Sequence, residues 1–310
     1  MLRGLANFAM QGRWQAALMA SLLAVAAMLV PPLNYLASGI IVLATLRTGP
    51  REGARVLATA LVVFAIAAAV LFKQVWLTAI LFLSAWLPVY LVTLVLGYTR
   101  SLAKAMIMAA AIGLLGVLLI HLLLADPTAW WQQTLAPFMQ LLTGQDGWQL
   151  TDAETEQMFV NLAGIMTGLL AAAMSFNIIV ALLIGRAWQS SLYDVGAFGR
   201  EFTHITLGKP LAIVTAILML VSVTPWSESL PILVDSFTVL LVLFAFQGIA
   251  VVHAIVRERQ KSTAWLVVMY VLLVLILPQM TTLLATLGIT EQWFNFRKHQ
   301  KGDAESIDKQ

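Results

Sequence analysis

The chain has 310 residues, of which 61% are hydrophobic and 11% charged, with a formal net charge of +3 and no cysteine. Soluble domains carry about 45–50% apolar and about 25% charged residues, so a soluble fold of this composition would present apolar patches that aggregate in water. The missing cysteines exclude disulfides, thiolate catalysis and Cys-ligated metals, and a mean hydropathy of +0.89 points to an all-α, polytopic transmembrane helix bundle.

A spanning helix needs about 20 apolar residues. Apolar runs occupy about 14–30, 33–46, 56–72, 75–97, 105–125, 156–185, 210–225, 232–256 and 263–287, which predicts eight or nine spans. The first run ends in Pro31-Pro32 with no small-x-small cleavage site, so it reads as a retained helix and not as a signal peptide. The prolines also split 14–46 into two short helices, because proline breaks the helix before it.

The basic residues favour that hairpin, since Lys and Arg concentrate in cytoplasmic loops. With the N-terminus in the cytoplasm, one side gathers thirteen of the eighteen Lys and Arg, from Arg3 and Arg13 through Arg47, Arg100, Arg186 and Arg200 to Lys261. The other side keeps Lys73 and most acidic residues, among them Asp126, Glu154, Glu228 and Asp235. A single span over 14–46 would destroy this alternation. Residues 1–288 then form one transmembrane domain, and 289–310 a polar, nearly neutral tail. Nine spans put that tail outside; a turn at Pro278 would bring it back inside. The outer side is the reading adopted.

Two connecting stretches have structure of their own. Within 126–155, Trp130, Trp131, Phe138 and Leu141 predict an amphipathic helix over 128–143 lying on the outer surface, because Trp favours the membrane interface; the alternative is a loop packed on helix ends. In the inner loop 187–208, Leu192, Val195, Phe198 and Phe202 recur at helical spacing, which predicts a second interfacial element.

Enzyme signatures are missing. There is no phosphate-binding Gly loop, no Gly-x-Ser-x-Gly and no His-Glu-x-x-His. No two of His121, His204, His253 and His299 share a helix at ligand spacing, so no metal, cofactor, catalytic residue or nucleic-acid partner is expected. What remains is polar residues in apolar runs, which face a bundle interior or a cavity. They are Asn34 and Tyr35; Ser84, Trp86 and Tyr90; Asn161, Ser175 and Asn177; Asp235, Gln247 and His253; and Gln279. Each also fits a plain inter-helix hydrogen bond worth about 0.6–2 kcal/mol.

Asp235 is the most informative of these. Trp226 and Glu228 precede it, and Glu228 and Asp235 are two helical turns apart on one face. With Asn34 and Tyr35 they compose a candidate substrate-binding cluster at the outer side; the competing reading leaves both carboxylates hydrated among headgroups. His253 lies about 27 Å further along the same helix, too far to pair with Asp235. Two small-residue patterns suggest close helix packing, Ala16, Ala20 and Ala24 in the first helix and Gly164-Ile-Met-Thr-Gly168 in the sixth.

The prolines, the basic stretch Leu46-Arg-Thr-Gly-Pro-Arg-Glu-Gly-Ala-Arg55 and the ending Leu287-Gly-Ile-Thr-Glu-Gln-Trp-Phe-Asn-Phe-Arg297 resemble the YybS-like family of bacterial multi-pass membrane proteins, itself of unknown function. That family is distantly similar to the S components of energy-coupling-factor vitamin transporters and to a rod-shape-determining membrane protein. The resemblance implies a bacterial inner-membrane protein. It also implies a small solute bound from the outer side and a membrane partner docked on the alanine face of the first helix, which Ala16, Ala20 and Ala24 match. Two functions follow as expectations: a transporter-like solute-binding protein, or a non-transporting envelope scaffold whose partner docks on the small-residue faces.

Overall fold

A computed structural model describes residues 2–143 and 151–297, except the side chains of Leu2, Leu142, Asp152, Trp226 and Glu228. Every regular element among them is helical. A short α1 (Leu2–Ala9) leads into the hairpin of α2 (Arg13–Ala26) and α3 (Leu33–Thr48). The Pro31-Pro32 break is present, and it ends α2 early: a proline ring at 31 clashes with the carbonyl four residues back, so helical geometry stops at Ala26.

α4 (Pro50–Ala67) runs on through a π-helical turn, Ala68–Phe72, to a reversal where Lys73 adopts a left-handed conformation. α5 (Trp76–Leu81), a second π turn at Phe82–Trp86 and α6 (Leu87–Thr99) then make one rod. α7 (Leu102–Leu123) and α8 (Pro127–Thr143) precede the long α9 (Asp152–Tyr193). α10 (Ala197–Thr203), α11 (Lys209–Ser222), α12 (Trp226–Ser229), α13 (Pro231–Glu258), α14 (Ala264–Leu275) and α15 (Leu277–Phe294) complete the chain. Five rods are long and apolar enough to cross a bilayer: Pro50–Phe72, Trp76–Thr99, Leu102–Leu123, Ala153–Tyr193 and Pro231–Glu258. α2, α3, α11 and α14 are apolar but shorter; at 14 residues, α2 reaches about 21 Å against a hydrocarbon core of about 30 Å.

Two helices form the centre. α3 is buried without interruption over 37–45, and α13 over 243–251. A helix that is hydrophobic all round belongs inside a bundle, and each of the two anchors its own core cluster. α15 crosses α13 where Gly248 faces Gly288. A Cβ on Gly248 would collide with the Leu284 carbonyl, and one on Gly288 with the Phe244 carbonyl. Gln247 fastens the same crossing: its Nε2 donates to the Gly288 carbonyl at 2.8 Å, while its Oε1 accepts from the Leu207 N–H at 3.0 Å.

The basic residues gather at one end of this bundle. Arg3 Nη2 donates to the Ser191 carbonyl at 2.7 Å, Arg47 stacks 4.1 Å over the Tyr193 ring, and Arg186 forms a two-pronged ion pair with Glu201. The stretch 187–208 is largely helical, with α9 running on to Tyr193 and Phe198 stacked on Phe202 in α10.

The C-terminal side differs from expectation. The segment 263–287 is not one span. Ile276 leaves helical geometry before Leu277-Pro278, and α15 returns to the basic end. There Arg297 donates to the carbonyls of Thr203 and Ile205 and pairs with Glu291 at 2.8 Å. Residues 289–297 are therefore not a detached tail on the opposite side. Proline at 278, which lacks an N–H, separates two helices where apolarity alone suggested one. Residues 298–310 lie outside the described residues.

α8 also differs from a helix resting on the surface alone. It packs against α9, where Trp131 Nε1 donates to Thr167 Oγ1 at 2.9 Å. With 42 residues, α9 is about 63 Å long, twice the hydrocarbon thickness. Its first turns and α8 extend past the ends of α7 and α13.

Candidate functional site

At the end opposite the basic residues, α2, α3, α5, the second π turn and α9 line an open cavity of about 510 Å³. Ala24, Asn34, Tyr35, Ser84, Ala85 and Asn177 are among its lining residues. The first turn of α3 supplies Asn34 and Tyr35, just after Pro32 caps that helix. The π turn supplies Ser84 and Ala85. An extra residue in the turn breaks the α-helical register, and such turns recur at functional sites. Most of the wall is apolar, and no Asp, Glu, Lys, Arg or His among the described residues lines it.

The polar atoms here are unusual. Six buried side-chain polar atoms among the described residues have no hydrogen-bond partner: Asn34 Oδ1, Ser38 Oγ, Thr78 Oγ1, Trp86 Nε1, Asn177 Oδ1 and Gln292 Nε2. Two of them line the cavity, and three more (Ser38, Thr78 and Trp86) lie within one helical turn of a lining residue. Elsewhere in the bundle, buried hydroxyls donate to the carbonyl four residues back, as Thr45 and Thr93 do at 2.7 Å. Buried polar groups are normally satisfied, and each orphan costs about 1–3 kcal/mol.

Asp235 stands apart from this cavity. It is 3% exposed, so it is not a hydrated headgroup-level carboxylate. Its Oδ2 lies 2.7 Å from His121 Nε2, and its Oδ1 accepts the Gly168 N–H at 2.9 Å. Three long helices, α7, α9 and α13, meet in these two bonds. Of the glycine pair, only Gly168 makes this approach: a Cβ there would sit 2.7 Å from Asp235 Oδ1, whereas one on Gly164 meets nothing within 4 Å. Trp226 and Glu228 fall in α12, and their side chains lie outside the described residues. The expected cluster of Asn34, Tyr35 and Asp235 is thus two separate sites.

The alanine stripe is spent inside the chain. Ala16, Ala20 and Ala24 are buried, and neighbouring Ser21 donates to the Ala60 carbonyl of α4 at 2.7 Å. His121 was not visible as a partner of Asp235, because 114 residues separate them. The available signal was depth: His121 lies two residues from the end of α7, and Asp235 four from the start of α13.

No known family model matches the chain, and no curated protein or solved structure matches it either. The functional reading therefore rests on this geometry.

Proposed function

We propose that the protein is a multi-pass membrane solute-binding protein of the carrier type, and that its ligand is uncharged and largely apolar with an amide-like polar edge. The observation that carries this reading is that two orphaned amide oxygens, Asn34 Oδ1 and Asn177 Oδ1, sit in the wall of one otherwise mostly apolar cavity. An amide side chain both donates and accepts, so Asn34 and Asn177 match a lactam or imide edge. The apolar wall suits a ring, and the volume falls within the range of about 300–1,000 Å³ typical of small-molecule sites. A charged ligand is disfavoured, because no ionisable partner lines the wall to offset its desolvation.

The resemblance to YybS-like proteins, and through them to S components, accords with binding at the end away from the basic loops. With the basic end in the cytoplasm, as basic loops favour, the N-terminus is cytoplasmic and the cavity lies in the outer half of a bacterial inner membrane. Counting α2, α3 and α11 as spans and α14–α15 as a re-entrant pair gives eight crossings, with both described ends of the chain on the cytoplasmic side. The scaffold alternative is weakened, since Ala16, Ala20 and Ala24 already pack within the chain.

The test is a thermal-shift measurement on the purified protein in nanodiscs. Thymine and lumichrome, uncharged rings with imide edges, are compared with glutamate and lysine. A ligand at about a hundred times its Kd stabilises by about 2.7 kcal/mol, which raises Tm by a few degrees. Shifts with the imides alone support the reading; a shift with glutamate or lysine alone, or with none of the four, overturns it.

A further inference from the structure

A buried carboxylate in an apolar helix is costly, and such groups mark ion or proton pathways. Asp235 fits this description, and its surroundings say which species it serves. Each of its oxygens has a partner on another helix, His121 Nε2 on α7 and the Gly168 N–H on α9. His121 has one ring nitrogen left. No described residue bonds to Nδ1, and the His121 side chain keeps 14% of its surface exposed while that of Asp235 keeps 5%. One nitrogen is locked onto the carboxylate and the other is open for exchange.

The other ionisable groups at this end are few. Lys73 lies at the reversal between α4 and α5, Asp126 follows α7, Asp152, Glu154 and Glu156 lie in the first turns of α9, and Glu228 is in α12. α8 carries none, α13 has no further one until His253 and Arg257 near its far end, and α7 has only Lys104 besides His121, also at its far end. None of those with described side chains bonds to His121 or Asp235. No Lys or Arg neutralises the carboxylate, so the imidazole is its counter-ion.

We propose that His121 and Asp235 form a proton-binding site, and that proton occupancy at His121 Nδ1 is linked through α9 to ligand binding in the cavity. With Nδ1 protonated, an imidazolium faces a carboxylate and the buried pair is neutral. Loss of that proton to water breaks only the Nδ1–H bond. It leaves a neutral imidazole still donating from Nε2, and a net charge of −1 held by hydrogen bonds alone. An uncompensated buried charge disfavours the packed arrangement of α7, α9 and α13. α9 is the wall common to both sites: Thr167, Gly168 and Ser175 face α7, α8 and α13, while Leu170, Ala173 and Asn177 line the cavity. A shift of α9 therefore changes both, and linkage requires the effect to be reciprocal.

The linkage half of this proposal rests on the carrier reading; the proton site itself does not. The test uses the full chain in nanodiscs, with imidazole nitrogen NMR shifts followed between about pH 5 and 9, the range where histidine titrates. The His121 signal is assigned as the one lost in His121→Gln. We expect it to titrate in this range, and its midpoint to move in Asp235→Asn, which keeps the shape of the side chain. A His121 signal that is constant over the range, or a midpoint unchanged in Asp235→Asn, overturns the proton site whether or not any probe binds. In parallel, lumichrome affinity should change about tenfold across His121 titration, become pH-independent in His121→Gln, and follow the moved midpoint in Asp235→Asn. If His121 titrates as expected while lumichrome affinity is flat with pH, the linkage falls. If His121 titrates and lumichrome does not bind at all, the proton site stands and the cavity reading is the part that fails. The double variant His121→Gln, Asp235→Asn retains an amide pair, and its folding, checked by Tm, guards against reading a misfolded single variant as a result.

Discussion

Arg297 is clamped to Glu291 at 2.8 Å, with side chains 10% and 4% exposed, while its other guanidinium nitrogens donate to the carbonyls of Thr203 and Ile205. This locks the end of α15 onto the end of α10. Removing one partner of a buried ion pair leaves the other charge uncompensated, at a cost of about 3–5 kcal/mol. Arg297→Ala should therefore lower stability by that amount, and Arg297→Lys by less but still substantially, since an ammonium does not reproduce the fork of bonds. Equilibrium unfolding in mixed micelles measures both. An alanine variant within 1 kcal/mol of wild type would mean that α15 does not dock here.

The same clamp fixes the side on which residue 297 emerges, and the absence of cysteine in the chain makes that directly testable. Single cysteines at Val195, beyond the end of α9 at the basic end, and at Leu29, in the α2–α3 turn, occupy exposed positions, 79% and 87% respectively. In right-side-out vesicles an impermeant maleimide should label Leu29→Cys and leave Val195→Cys and Phe296→Cys untouched. Inside-out vesicles should reverse the pattern. Labelling of Phe296→Cys together with Leu29→Cys would contradict the return of α15.

The glycine pair in α9 separates packing from pattern. Gly164→Ala adds a methyl in open space and gains helix propensity, so it should be neutral or stabilising by about 0.5–1 kcal/mol. Gly168→Ala places its Cβ against the Asp235 carboxylate and should cost about 1–3 kcal/mol, as overpacking does. Thermal unfolding of the two variants side by side tests the contrast. Equal effects would show that the α9–α13 contact is looser than described.

These residues also show what a single sequence can disclose. The helical class, the Pro31-Pro32 hairpin and the gathering of basic residues at one end follow from local rules of apolarity, proline geometry and charge. Asp235 stood out because a carboxylate in an apolar run is costly anywhere. Its partner did not, because pairing between α7 and α13 is a fact of packing. The two π turns have no compositional signature, and the second supplies part of the cavity wall. The break at Ile276 was within reach, since Pro278 marked it, but a 25-residue apolar run fits one span just as well. Pattern likewise left Ala16, Ala20 and Ala24 open to either an internal or an external partner, and the structure uses them internally.

The cavity makes the most demanding prediction. Ala173 faces open space within its wall, so Ala173→Phe should fill part of the volume at little cost to stability and reduce lumichrome binding more than tenfold. Asn177→Leu keeps the bulk and removes one amide. If that amide meets the ligand, about 1–3 kcal/mol of binding is lost, or about thirtyfold in Kd at the middle of that range. In the unliganded protein the same change removes an orphaned buried oxygen, and stability should rise. Loss of affinity with gain of stability is the signature of a polar group kept for binding, and isothermal titration with unfolding on the same preparations measures both. A variant that loses stability while binding is unchanged would assign Asn177 to the architecture of α9 instead.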